Sequence, residues 1–134
     1  MREILFKAKR KDDGKWVEGY YQKRYDLLGN EEHLIFHADS YKVWEYAEID
    51  SETLCQFTGL CDKNGNKIWE NDIIQYDTVA AVAKFGEYGN GGLGFYVDFP
   101  EETNYRKDFS YWSKKVVVIG NAVDDRNLLQ EVPE

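Results

Sequence analysis

Residues 56–74 read Gln56-Phe57-Thr58-Gly59-Leu60-Cys61-Asp62-Lys63-Asn64-Gly65-Asn66-Lys67-Ile68-Trp69-Glu70-Asn71-Asp72-Ile73-Ile74. Short apolar runs flank a polar stretch, the pattern of two strands joined by a turn. Asn64-Gly65 is a strong hairpin signal, because both central residues of a type I′ turn need positive φ. Lys67-Ile68-Trp69 begins the return. The chain therefore doubles back here as β structure.

The same reading extends in both directions. Ile4, Phe6 and Ala8 alternate with Leu5, Lys7 and Lys9. The turn signal Asp12-Asp13-Gly14-Lys15 and the apolar Trp16-Val17-Glu18-Gly19-Tyr20-Tyr21 complete a first hairpin. Residues 24–32 read as a polar loop containing Gly29-Asn30. His33-Leu34-Ile35-Phe36-His37 is a short strand, and Ala38-Asp39-Ser40 a turn. Residues 41–49 lean toward strand over helix on their aromatic and β-branched content. Asp50-Ser51 separates them from a second short run at 54–57. Beyond the hairpin, 73–76 and 79–85 are strands joined through Asp77-Thr78. Residues 86–94 form a glycine-rich loop leading into a strand that Pro100 stops. Residues 101–113 hold one short helix or a long loop, 114–119 a strand, and 124–130 a short terminal helix. Residues 131–134 are expected to fray.

Composition agrees. Of 134 residues, 16% are aromatic, with 4 Trp, 10 Tyr and 7 Phe. That share excludes a disordered chain and favours strands over helices. The expected fold is mainly β, with small barrel-like or coiled antiparallel sheets and at most one or two short helices. The length indicates one domain over 1–134, with a seam near 50–54 that marks candidate lobes 1–50 and 54–130.

The formal net charge is −8. Residues 1–24 carry +4 and the remainder −12. An acidic chain is repelled by phosphate backbones unless its basic residues cluster. No apolar run approaches the ~18 residues of a membrane helix. The charged N-terminus lacks the pattern of a signal peptide. Cys55 and Cys61 are too few for a disulfide framework. These features predict a cytoplasmic protein with no membrane partner.

The stretch 56–74 resembles the signature of the YopX family, small proteins encoded by bacteriophages and prophages. The family pattern is close to Q-Y-T-G-L-K-D-K-N-G-K-E-I-Y-E-G-D-I-V. The opening Met-Arg-Glu-Ile-Leu-Phe-Lys-Ala resembles the family's R-x-I-K-F-R-A start. Val118-Ile119-Gly120-Asn121, followed by Asn127-Leu128-Leu129, resembles its closing V-I-G-N…N-x-E-L-L. The sequence departs at Cys61, where the pattern has Lys, and at Asn71, where it has Gly. Asn tolerates positive φ, so a turn at 71 survives. The resemblance implies a compact, mostly β protein of a bacterial cell carrying a phage genome. It implies no activity.

Candidate chemistry is sparse. Asp62, Asn64 and Asn66 have calcium-loop spacing, but position 6 is Lys67 and position 12 is Ile73, so a hairpin turn is favoured. Gly89, Gly91 and Gly94 fit G-x-G-x-x-G, but the residues that follow read as a strand where a dinucleotide site needs a helix. His33 and His37 share one strand face with Asp39 nearby, yet zinc wants a third or fourth ligand. Cys55, in an apolar run, reads as an inert core thiol. Glu70 and Asp72 would share a strand face; such a pair can hold a metal, share a proton or cap a turn. Lys15-Trp16, Lys23-Arg24-Tyr25, Tyr105-Arg106-Lys107 and Tyr111-Trp112-Ser113-Lys114-Lys115 place basic residues beside aromatics that could stack nucleic-acid bases or fill the core.

The reading that follows is a non-enzymatic module, without cofactor or metal, that binds a host or phage protein, with a homo-oligomer also open. A single-stranded nucleic-acid-binding module is the alternative, and a small metal-dependent enzyme the second. The candidate binding residues are Asp62, Asn64, Gly65, Asn66, Glu70 and Asp72, with the 86–94 loop beside them.

Overall fold

A computed structural model describes residues 4–38, 43–89 and 91–129. The described residues form two antiparallel sheets with very little helix, as the composition leads one to expect. The chain divides into two compact units, Met1–Phe57 and Thr58–Glu134.

The first unit is a ring of strands. β1 (Phe6–Arg10) pairs with the start of β2 (Trp16–Tyr25), from Lys9↔Trp16 to Phe6↔Gly19. Beyond Gly19, β2 leaves β1 and pairs with β3 (Glu31–Ala38), from Tyr20↔Phe36 to Tyr25↔Glu31. β3 pairs in turn with the start of β4 (Trp44–Cys61). The middle of β4 then returns to the other side of β1 and closes the ring, which stops short of a full barrel.

β2 and β4 each pass from one neighbour to another along their length, and both must bend. In β2 the bend falls at Gly19, where a Cβ would collide with the Phe36 carbonyl oxygen. In β4 it is a bulge: Lys7 pairs with Cys55 but Lys9 with Asp50. Thr53 Oγ1 holds the bulge, accepting from the Lys9 N–H at 2.8 Å and donating to the Asp50 carbonyl at 2.7 Å. Ala8, Ile35 and Ile49 are buried inside the ring, with Phe6, Val17, Tyr21 and Leu54 packed against them.

In the second unit the end of β4 turns into β5 (Lys67–Trp69). A four-stranded sheet follows, in the order β8 (Gly92–Val97), β7 (Val79–Tyr88), β6 (Asp72–Tyr76), β9 (Val117–Asn121). A one-turn helix, α1 (Phe109–Trp112), packs on it. The core gathers Ile68, Ile74, Ala81, Ala83, Val97, Phe99, Phe109, Trp112 and Val116. Trp112 lies 5.0 Å from Phe99 and 5.5 Å from Tyr105 between ring centroids, and its indole N–H donates to the Arg106 carbonyl.

Several local expectations need correction. Residues 54–57 are not a separate strand: they continue β4, because the bulge at 50–53 absorbs Asp50-Ser51 without ending the pairing. Residues 24–32 are not one loop: β2 runs through Tyr25 and β3 starts at Glu31, leaving a turn at 26–30. The hairpin at 62–66 is not type I′, since only Gly65 of the pair takes positive φ, at 84°. Residues 86–94 are mostly paired strand, because Gly86 and Gly94 sit opposite each other at φ values of 152° and 149° that favour glycine. β9 begins at Val117, since Lys114 takes a left-handed φ of 66°. The stretch 101–113 holds a 3-10 turn, Glu101–Thr103, as well as α1, and the terminal helix is a 3-10 turn, Arg126–Leu129. Residues 39–42 and 131–134 lie outside the described residues.

Candidate binding surfaces

The acids singled out in the sequence serve the backbone. Asp62 is 1% exposed. Its Oδ1 accepts from the Asn64 and Asn66 N–H groups at 2.9 and 2.8 Å, and its Oδ2 from the Asn66 amide at 3.3 Å and the Val118 N–H at 3.0 Å. Burial pushes this carboxyl up, but the donors from Val118, Asn66 and Asn64 outweigh it and hold the group below the ordinary 3.8. A carboxylate saturated by four N–H groups has no lone pairs to spare for a cation. Asp72, also buried, accepts from the Trp69 N–H at 2.8 Å. Glu70 is not on a strand with it. Glu70 and Asn71 form the turn between β5 and β6, and Asn71 takes φ 73° where the family pattern has Gly. Of the six candidates, Asn64, Gly65 and Asn66 are exposed.

The two histidines share one face of β3 but do not form a ligand set. His33 Nδ1 lies 2.6 Å from the Tyr21 hydroxyl and Nε2 2.9 Å from Glu31 Oε1. His37 Nε2 is buried without a hydrogen-bond partner. Asp39 lies outside the described residues. No group of three His, Cys, Asp or Glu able to hold a metal occurs among the described residues. Cys55 is buried, its thiol 3.3 Å from the Thr53 carbonyl.

The basic and aromatic clusters divide into two kinds. Arg24 lies 5.3 Å from the Tyr46 ring and pairs with Glu32 at 3.2 Å. Lys23 pairs with Glu31 at 3.5 Å, Lys107 with Asp98 at 3.5 Å, and Arg106 with Asp108 at 2.8 Å. These cations are already neutralised. Lys63, Lys114 and Lys115 have no acidic partner within ion-pair distance among the described residues.

The turn at 26–30 carries a surface that the sequence reading passed over. Asp26-Leu27-Leu28-Gly29-Asn30 and Asp62-Lys63-Asn64-Gly65-Asn66 share the pattern D-x-x-G-N and one conformation. In each, the Asp N–H donates to the Asn carbonyl, the Gly N–H donates to the Asp carbonyl, and the Asp carboxylate accepts from the third and fifth N–H groups. In each, Gly takes φ near 85°: 85° at Gly29 and 84° at Gly65. The two middle positions serve the turn through their backbone alone: the Leu28 and Asn64 N–H groups donate to the Asp carboxylate, and neither pair of middle side chains takes part in the turn's hydrogen bonds. One turn fills them with Lys63-Asn64, the other with Leu27-Leu28, which are 105% and 87% exposed. The repeated D-x-x-G-N was the available signal. Further along the same sheet, Tyr20, Phe36 and Tyr46 align across β2, β3 and β4, and Trp44 lies 6.0 Å from Tyr20. Tyr20, Trp44 and Tyr46 are about half exposed.

No helix among the described residues is long and apolar enough to cross a membrane. Residues 5–130 match the family model described as YopX protein. The chain belongs to the YopX family. No curated protein matches it.

Proposed function

We infer that this YopX-family chain is a non-enzymatic module that docks onto a host or phage protein in the cytoplasm of a bacterium carrying the phage genome. The Leu27-Leu28 tip carries the reading. A turn of this geometry needs Asp, Gly and Asn, and its twin shows that lysine and asparagine serve equally well between them. Two fully exposed leucines there gain nothing for the fold. Burying each in a partner's apolar pocket would stabilise a complex by roughly 1.5–3 kcal/mol. Paired Lys23–Glu31 and Arg24–Glu32 flank the tip, giving it the polar, charge-balanced rim of a docking site.

The test is capture from phage-carrying cells by tagged wild-type chain and by L27K/L28N, whose residues are those of the twin turn. The expected result is a partner protein retained after nuclease treatment and lost with the variant, while the variant's circular dichroism is unchanged. Capture that vanishes with nuclease would transfer the assignment to single-stranded nucleic acid. Self-association abolished by L27K/L28N would make the partner a second copy.

A further inference from the structure

In the second unit, an open cleft of about 340 Å³ is lined by Lys63, Gln75, Tyr76, Asp77, Lys115 and Val117. The volume lies at the low end of small-molecule sites. Its electrostatics are unusual for this chain. Acids outnumber bases by 25 to 17, yet two ammonium groups share one concavity without an acidic partner at ion-pair distance among the described residues. Asp77 lines the same cleft but forms no ion pair with either. Lys115 Nζ sits 3.5 Å from the centroid of the Tyr111 ring, which supports the side chain at the cleft. Tyr76 is backed by Trp112 at 4.8 Å and Tyr105 at 5.7 Å, so its ring is a braced platform. The Gln75 amide N–H donates to the Asp77 carbonyl, which leaves the Gln75 side-chain oxygen as an acceptor.

We propose that this cleft binds a nucleoside phosphate unit, with the phosphate between Lys63 and Lys115 and the base against Tyr76. Lysines act on phosphate as point charges. An aromatic face takes any base by stacking, because every base has a π-face. The Asp77 carboxylate and Gln75 oxygen accept hydrogen bonds from sugar hydroxyls or base amino groups. A purely anionic ligand, such as an acidic peptide, would meet Asp77 as a repulsive neighbour. The mixed lining favours a ligand that is anionic at one end and a hydrogen-bond donor at the other.

The test is calorimetric titration of the full chain at low salt with adenosine and uridine monophosphates, adenosine, inorganic phosphate, an eight-nucleotide oligothymidylate and an oligoglutamate. The mononucleotides should bind at least tenfold more tightly than adenosine or phosphate alone. K63Q/K115Q should weaken them at least tenfold with no change in thermal unfolding, and Y76L should weaken them independently. An oligonucleotide that binds more tightly than the mononucleotides, with a steep salt dependence, places the unit in a single strand; equal or weaker binding places it in a free nucleotide. No binding of any nucleotide at millimolar concentration overturns the proposal. So does binding unaffected by K63Q/K115Q, or an oligoglutamate that binds as well as the nucleotides.

Discussion

Asp26 and Asp62 perform one backbone task in two surroundings, and the contrast isolates what burial adds. Both accept two turn N–H groups and an asparagine amide. Asp62 alone is buried and alone receives a fourth donor, the Val118 N–H. Replacing it by Asn puts a donor where an acceptor is required, so at least one buried N–H loses its partner. We expect D62N to cost about 1–3 kcal/mol in chemical denaturation, and D26N, which water can repair, to change stability very little. The pH dependence has a definite sign. The folded carboxyl titrates below its ordinary 3.8, so its contribution is complete above that value and is lost as pH falls through the lower folded value. The gap between D62N and wild type should therefore close on acidification below pH 3.8. A gap that stays constant would show that Asp62 is already protonated in the fold. The sequence displays Asp62 as a turn residue. It does not display the partner that makes it indispensable, because Val118 is 56 residues away.

At the scale of elements, the hairpins were legible and the ring was not. Local chemistry announces Asp12-Asp13-Gly14, Gly29-Asn30, Asn64-Gly65 and Asp77-Thr78, because each turn's conformation is set by residues within it. Closing β1 between β2 and β4 depends on pairings between residues as far apart as Phe6 and Gln56 and on two bends with ambiguous signatures. Gly19 reads as an ordinary position inside one strand, and Asp50-Ser51 between two apolar runs resembles a chain break. Gly19 is where β2 passes from β1 to β3, and Asp50-Ser51 opens the bulge in the pairing of β4 with β1. Gly19 is the stricter of the two, because its backbone passes against Phe36 with no space for a methyl group. G19A should destabilise the first unit by about 3 kcal/mol, the upper range for overpacking, unless β2 and β3 separate. A denaturation midpoint within experimental error of wild type would show that the crossing is looser than described. The tip leucines went unread for a related reason. Residues 24–32 look polar in aggregate, and only the shared conformation of 26–30 and 62–66 shows that Leu27 and Leu28 are free of structural duty.

At the scale of the whole molecule, each unit has its own buried cluster, one built on Ala8, Ile35 and Ile49, the other on nine residues around Trp112. The two clusters differ in kind. The first is small and enclosed by the ring's own closure, whereas the second relies on large aromatics brought from α1 and the 99–105 segment onto a sheet. Removing the indole of Trp112, which is 4% exposed, deletes contacts to Phe99, Tyr105 and Tyr76 and frees the Arg106 carbonyl. W112A should cost about 3–5 kcal/mol. Hydrogen exchange tells where that loss is felt. If each unit's stability rests on its own cluster, amides in β6, β7 and β9 lose protection while those in β1, β2 and β3 keep theirs. Equal loss in all six strands would mean that the chain opens as one cooperative body despite its two clusters. The first outcome would also permit the Leu27-Leu28 tip and the Lys63–Lys115 cleft to be disabled one at a time, each variant reporting on its own surface.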